Sequence, residues 1–306
     1  MTVNVPVPDS TAHGTGTWSV GWSRGRSCGQ LAQALGTAVA VKDDWMQACI
    51  EHKLDLLVTR RVPSFDLVPI AVPHDVDLTA VRRVSAAIGE GPHSHLASEI
   101  AAALATNLGV PGELATVAHP NAPAEQAPDR LARLGAEFPG LDQRVVEAQT
   151  ATTLVKSLPP QTLLVLGAPG GSWLQRQLFG PGHRMRVAAP GGAIVVRHAP
   201  RRCFHSARAA SGHVAGPHLA AADAAYLFPG DIIPVVEAGL LIGIVRRSRI
   251  EGIPATTPIG DLMEPPVSVG AAEPNGAIED VRKFLDGGPI PVVDDSGRVI
   301  GVIGPE

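Results

Sequence analysis

The residue types that could do chemistry gather in one stretch, residues 163–198, which reads LLVLGAPGGSWLQRQLFGPGHRMRVAAPGGAIVVRH. It begins with an apolar run, Leu163–Leu166, which is typical of a buried parallel strand and stops at Gly167. Further glycines follow at Gly170, Gly171, Gly180 and Gly182. A glycine-rich turn between a strand and a helix lets backbone N–H groups approach an anion, and the helix N-terminus adds positive partial charge. The stretch therefore predicts a phosphate-binding loop.

The spacing of these glycines narrows the prediction. Two residues separate Gly167 from Gly170, and nine separate Gly170 from Gly180. This spacing resembles the nucleotide loop of the universal stress protein family, which implies that the loop, with Gly182 next to it, binds the phosphates of ATP. Pro181 stands where the family has Ser or Thr, and proline offers neither a hydroxyl nor an N–H. The alternative, that the glycines only turn the chain between two strands, stays open.

A second glycine turn, Gly89–Ser94 (GEGPHS), precedes an alanine-rich helix. It resembles a branch of the same family that is fused to, or encoded with, membrane transporters, whereas the ATP-binding branch has an aspartate at the position of Gly89. Open α/β sheets bind ligands beyond the carboxyl ends of their strands, so both turns are predicted to face one site. The candidate ligand contacts in this turn are Gly89, Gly91 and Ser94. For Ser94, capping of the helix is the alternative role.

Cations near the two turns are candidate phosphate ligands. Arg176 falls within the long glycine loop, and Arg184 falls at the start of the helix that follows it. A solvated surface arginine is the alternative for each. His93 and His95 flank Ser94, but their spacing is poor for one metal and no cluster of cysteine, aspartate or glutamate joins them, so no metal site is predicted.

The elements that would position these residues follow an α/β rhythm. Residues 81–198 alternate short apolar runs with helical segments, which predicts five strands in a Rossmann-like, doubly wound parallel sheet of universal stress protein type. One helix is marked by apolar residues every four positions, at Leu96, Ile100, Leu104 and Leu108.

The preceding residues, 16–75, read as a further α/β segment. Its predicted strands are Thr17–Trp22, Thr37–Val41, Leu54–Thr59 and Leu67–Val72. Its last helix and two strands resemble a truncated half-repeat of the same family domain, and an unrelated extension is the alternative. Residues 1–15 are polar and are predicted to be a disordered tail.

The C-terminal part, residues 203–306, contains one pattern twice. Each copy has a short helix, the sequence Ile-Pro-Val-Val, a polar hairpin tip and an apolar strand with a central glycine. The repeat resembles a tandem pair of cystathionine-β-synthase-type (CBS) domains, with copies at 203–252 and 257–306. The fold class predicted for the chain is therefore α/β, a doubly wound parallel sheet followed by an α/β CBS pair.

The resemblance to CBS pairs implies adenosine-nucleotide binding in the clefts between the copies. The family pattern Gly-h-h-Thr-x-x-Asp (h, apolar) supplies an aspartate for the ribose, but the first copy has Arg246 and Arg249 at the threonine and aspartate positions. In the second copy the pattern runs only to Gly304, so both expected ribose contacts are missing. Arginine cannot accept hydrogen bonds from a diol, yet it binds phosphate well, so Arg246, Arg247 and Arg249 are a candidate anion patch. A solvated basic helix start is the alternative.

The composition of the chain argues against several classes of protein. A net charge of −4 gives no reason to expect nucleic-acid binding, and no apolar run is long enough to span a membrane. The first residues lack the features of a signal peptide, and three cysteines far apart fit reduced thiols, so a cytoplasmic location is expected.

The sequence thus predicts a non-catalytic, cytosolic regulatory protein that responds to stress or senses a ligand, with no metal and with ATP or AMP as the candidate nucleotide. The alternatives are a ligand-free scaffold that regulates a partner such as a transporter and, less favoured, a nucleotide hydrolase. No nucleophile–base pair stands out in the glycine turns, and no acidic residue lies within the Gly167–Gly182 loop to hold Mg²⁺. A homodimer is expected, because the second-copy helix carries many apolar residues and because the Ala193–Val196 strand would otherwise leave an unpaired edge.

Overall fold

The computed structural model describes residues 18–23, 25–42, 44–61, 67–89, 91–121, 123, 125–168, 181–284 and 288–304. The predicted tail, residues 1–15, and most of the long glycine loop, residues 169–180, lie outside the described residues. In the described part of the chain, no helix combines the length and the apolar character that a membrane span needs.

One nine-stranded sheet holds both N-terminal segments together, in the order β2-β1-β3-β4-β9-β8-β5-β6-β7. Its strands are β1 (Trp18–Trp22), β2 (Gly36–Ala40), β3 (Leu56–Val58), β4 (Ile70–His74), β5 (Arg83–Ala87), β6 (Gly112–Ala118), β7 (Asp142–Glu147), β8 (Thr162–Gly167) and β9 (Ala193–Arg197). Its helices are α1 (Arg26–Leu35), α2 (Trp45–Glu51), α3 (Pro92–Leu108), α4 (Gln126–Glu137), α5 (Ala151–Lys156) and α6 (Pro181–Ala188). The large, mostly parallel sheet agrees with the α/β fold class that the sequence predicts.

Strand β8 shows why its sequence is apolar throughout. Leu163 and Val165 pack in the cluster on one face of the sheet, whereas Leu164 and Leu166 pack in the cluster on the other. A strand covered on both faces buries successive side chains alternately, so it needs no polar positions. Helix α3 covers the first of these faces, and Leu96, Ile100 and Leu104 are at most 4% exposed there, as their spacing predicts.

The join between the two halves of the sheet overturns one expectation. Strand β4 pairs antiparallel with β9, from Ile70 opposite Arg197 to His74 opposite Ala193. Strand β9 pairs with β8 on its other side, so the Ala193–Val196 strand has no free edge for a partner copy. That reason for expecting a homodimer is therefore wrong.

The C-terminal repeat forms two small sheets with the same register. In the first copy, β10 (Ile232–Glu237) and β11 (Leu240–Arg246) place Val235 opposite Gly243, and in the second, β13 (Ile290–Val293) and β14 (Val299–Ile303) place Val292 opposite Gly301. A register shift follows each of these valines. The shorter elements are β12 (Val269–Gly270), α7 (Cys203–Ser206), α8 (Ala221–Leu227), α9 (Arg247–Ile250), α10 (Asn275–Phe284) and a 3-10 turn, Ile259–Leu262.

The entry segments of the two copies cross over. Residues 202–208, the first leader, precede the first copy but bridge to the second at Pro274 and Val302. Residues 258–264, the second leader, precede the second copy but bridge to the first at Ala220 and Ile244. The hairpin tips meet at equivalent positions, Leu240 with Arg298, so an internal two-fold axis relates the copies.

The glycine on each apolar strand is explained by the crossing leader. A Cβ built at Gly243 would lie 2.9 Å from the carbonyl oxygen of Glu264, and one at Gly301 would lie 2.5 Å from that of Arg208. Both distances are too short for a real side chain, so the repeated glycine serves the packing of the leaders.

The CBS-like pair packs on the N-terminal segment. One buried cluster combines Leu54 and Leu57 of that segment with Phe204, Ile278 and Ile303 of the pair. Phe204 is fully buried, and Ile278, on the second-copy helix α10, is 3% exposed. Part of the apolar face that was expected to bind a second copy is thus covered within the chain.

Candidate functional site

The strands that precede the two glycine turns are neighbours in the sheet. Strands β5 and β8 pair in parallel, and Gly167 at the end of β8 lies against the first turn of α3. A Cβ built at Gly167 would lie 2.8 Å from the Cβ of His93 and 3.1 Å from its carbonyl oxygen. Close backbone packing therefore accounts for the glycine here, whether or not a phosphate binds nearby.

The first turn is held by its own hydrogen bond. Gly89 N–H donates to Ser94 Oγ over 2.9 Å, and Ser94 is 5% exposed. Gly91 is the N-cap of α3 with φ +87°, a left-handed conformation that favours glycine. Ser94 therefore closes the turn and is not the residue that caps the helix.

The rest of the predicted phosphate site is described only in part. Gly170, Arg176 and Gly180 lie outside the described residues. Gly182 belongs to helix α6, and Arg184 is exposed on the same helix. The nucleotide-loop prediction therefore stays a prediction.

Histidines close this edge of the sheet. The backbone N–H of His198, just after β9, donates to His93 Nδ1 over 3.0 Å. Burial, and then the neighbouring His93, lower the pKa of His198. His95 turns instead toward helix α4, where its Nε2 lies 2.7 Å from Glu137 Oε2. Among the described residues, no group of three metal-ligating side chains is found.

The N-terminal segment repeats this arrangement, which sequence reasoning missed. Strands β1 and β3 pair in parallel, and Gly25 with φ +123° begins helix α1 after β1. Ser23 Oγ donates to Thr59 Oγ1 over 2.8 Å, and Arg60 donates to Ser27 Oγ over 3.1 Å. The signal was in the sequence, since a glycine stands two residues after Ser23 as Gly91 stands two residues after Gly89.

The arginines of the first CBS-like copy do not form one patch. Arg247 donates to the carbonyl oxygen of Phe228 over 3.0 Å. Arg246 Nε lies 3.3 Å from Glu264 Oε2, and Arg249 Nε lies 3.0 Å from Glu264 Oε1. Glu264 was not predicted as part of this site, because it comes from the second leader and reaches the first copy only through the crossover.

The first leader carries the polar contacts that join the pair to the sheet. His205 Nε2 donates to the carbonyl oxygen of Leu54 over 2.9 Å, and His205 Nδ1 accepts from Arg202 N–H over 3.0 Å. Lys53 Nζ donates to the carbonyl oxygen of Ala207. Burial lowers the pKa of His205, which favours the neutral ring that this bonding pattern needs.

Comparisons with known proteins concern about a third of the chain. No protein-family model and no curated protein matches the sequence. The CBS domains of a transcriptional regulator from Streptococcus pneumoniae are 17% identical with a TM-score of 0.30, over 32% of this chain and 88% of that one. CBSX2 of Arabidopsis thaliana in complex with AMP is 22% identical with a TM-score of 0.29, over 34% of this chain and 89% of that one.

A third similar structure is the cytosolic domain of the Mg²⁺ channel MgtE in complex with ATP. It is 18% identical with a TM-score of 0.29, over 34% of this chain and 45% of that one.

Proposed function

We propose that this protein is a non-catalytic regulatory protein in which a CBS pair senses an adenine nucleotide and passes the change to the nine-stranded sheet. The observation that carries the proposal is the first leader, residues 202–208. The same few residues bridge to the second copy at Val302 and bond to the N-terminal segment at Leu54. A ligand that changes how the copies meet would therefore act on the sheet through this segment.

The leader is built to transmit such a change. Cys203 N–H donates to the carbonyl oxygen of Glu273 over 2.8 Å, and Phe204 N–H donates to that of Ala271 over 3.2 Å, so its backbone follows the second copy. The Phe204 side chain is fully buried in the cluster shared with the sheet. Movement of the second copy relative to the leader would break backbone hydrogen bonds or expose Phe204, and either change costs free energy.

For the sheet we propose a universal-stress-protein-like domain preceded by a truncated half-repeat. Outward from the β4–β9 join, the larger half runs β9-β8-β5-β6-β7 and the smaller half runs β4-β3-β1-β2. In chain order within each half, the larger is 5-4-1-2-3, and the smaller is the same order without its third strand. The switch point between β1 and β3 corresponds to that between β5 and β8, which supports the half-repeat over an unrelated extension.

Thermal unfolding of the full chain with AMP, ADP and ATP tests the sensing role. AMP and ATP are the nucleotides in the CBSX2 and MgtE complexes. A bound nucleotide at about 100 times its dissociation constant stabilises the folded state by about 2.7 kcal/mol, which raises the melting temperature by several degrees. No shift with any of the three would reject nucleotide sensing in favour of the scaffold, and steady phosphate release from ATP would replace it with a hydrolase.

Assembly and partners belong to the same proposal. We retain the homodimer, now with exposed apolar residues of the first copy as its candidate surface, since Tyr226 is 87% and Leu227 55% exposed on α8. The regulated partner is a transporter or another protein that this sheet contacts.

A further inference from the structure

Two guanidinium groups converge on one carboxylate in the first CBS-like copy. Each oxygen of Glu264 lies near a different arginine, Oε2 at 3.3 Å from Arg246 Nε and Oε1 at 3.0 Å from Arg249 Nε. A phosphate group held by two arginines offers them separate oxygens in the same way. The carboxylate of Glu264 therefore lies where a phosphate held by the same two arginines would lie.

The backbone under this carboxylate is fixed while its side chain is reachable from solvent. Glu264 N–H donates to the carbonyl oxygen of Ile244 over 2.8 Å, and Ile244 N–H donates back over 3.1 Å. The Glu264 side chain is 23% exposed, and those of Arg246 and Arg249 are 38% and 53% exposed. An anion from solution can thus reach the arginines, and Glu264 can swing away without loss of the bridge.

The second copy shows that the fold does not require this arrangement. The internal two-fold axis places Arg208 at the position of Glu264, because the two residues make the same bridge, to Val302 and to Ile244. It also places Gly304 at the position of Arg246, since Val302 corresponds to Ile244. In the second copy, Arg208 and Gly304 thus stand where the first copy has Glu264 and Arg246.

We infer that Glu264 is an internal competitor for an anion site formed by Arg246 and Arg249, and that a phosphate-bearing ligand binds there by displacing the carboxylate. The inference rests on the proposed sensing function and specifies how that site is regulated. Glu264 offers the two guanidinium groups one negative charge, whereas a phosphate near neutral pH offers them about −1.5 to −2. The greater charge therefore favours a phosphate over the internal acid. The free energy of displacing Glu264, however, weakens the apparent affinity of the protein for the phosphate.

Calorimetric titration of the full chain with inorganic phosphate and with AMP tests the inference. Glu264→Gln keeps the shape of the side chain but removes its charge, and we expect it to bind both probes at least about tenfold more tightly than the wild type. Glu279→Gln is the matched control, because it removes the same charge from an acid that pairs with Arg282 in the second copy. Adding Arg249→Ala to Glu264→Gln should abolish the gain.

The outcomes separate this inference from the proposed function. Equal affinity of Glu264→Gln and wild type, equal gains in Glu264→Gln and Glu279→Gln, or no phosphate binding by any variant would each overturn the competitor. If AMP stabilises the wild type but Glu264→Gln binds phosphate and AMP no more tightly, nucleotide sensing is supported and the competitor role of Glu264 is rejected. If Glu264→Gln binds phosphate more tightly than the wild type and no nucleotide stabilises the wild type, the competitor role of Glu264 is supported and nucleotide sensing is rejected. Should Glu264→Gln not fold, Glu264→Asp, which shortens the reach of the carboxylate, must show a gain in the same direction.

Discussion

Truncation of Phe204 tests whether the sheet and the CBS-like pair share their stability. Its side chain is fully buried in a cluster that draws on both parts. Burial of such a side chain contributes about 1.5–3 kcal/mol, and the cavity left behind brings the cost of Phe→Ala to about 3–5 kcal/mol. With a urea dependence of about 2–3 kcal/mol per molar, Phe204→Ala should lower the unfolding midpoint by about 1–2.5 M.

Tryptophan fluorescence makes the assay specific to the sheet. Residues 203–306 contain no tryptophan, whereas Trp18, Trp22 and Trp45 belong to the N-terminal segment. A shift of the tryptophan-reported midpoint would therefore show that a residue of the leader stabilises the sheet. Lys283→Ala, which removes a 75% exposed side chain on α10 of the same pair, should change stability by no more than about 0.5 kcal/mol. An unchanged tryptophan transition in Phe204→Ala, with an earlier separate transition by circular dichroism, would refute the coupling.

Two further outcomes follow from the described residues. The folded-state pKa of His205 lies below its ordinary value, so its contribution to stability is present above about pH 6.5 and is lost as the pH falls through the folded-state pKa. Between about pH 7.5 and pH 5, the free energy of unfolding measured in urea should therefore fall more in the wild type than in His205→Gln. Equal losses would contradict this. Light scattering should give twice the mass of one chain, Tyr226→Ala with Leu227→Ala should weaken that dimer, and a wild-type monomer at micromolar concentration would reject it.

Local periodicity predicted the individual elements well. The four-residue spacing on α3 and the apolar run of β8 each reflect which side chains of one element are buried. Both patterns can therefore be recognised within a short segment of the sequence. The internal repeat of Ile-Pro-Val-Val likewise predicted two hairpins with the same register. The tip of the first hairpin agrees too, since Ala238 and Gly239 both have positive φ, as a two-residue turn requires.

The sequence did not predict which distant segments of the chain lie next to each other. Strands β4 and β9 are both apolar and buried, and such strands carry no pattern that names their neighbour or its direction. Glu264 was missed for the same reason, because the crossing of the leaders, and not proximity along the chain, brings it to Arg246. At the glycine turns, the sequence could not separate packing from ligand binding, and the structure assigns Gly167 a packing role through His93.

The two internal pairings bear directly on how this chain can meet a partner. In the sheet, β4 occupies the edge of β9 that would otherwise be open to a second copy. In the C-terminal pair, each leader covers the copy that does not follow it, and the first leader also fills the junction with Phe204. Both surfaces on which a single repeat would associate are therefore closed within one chain. Association must use what these pairings leave exposed, and on the first copy that includes Tyr226 and Leu227. The difference between the two copies at Glu264 is thus where regulation specific to this protein is to be sought.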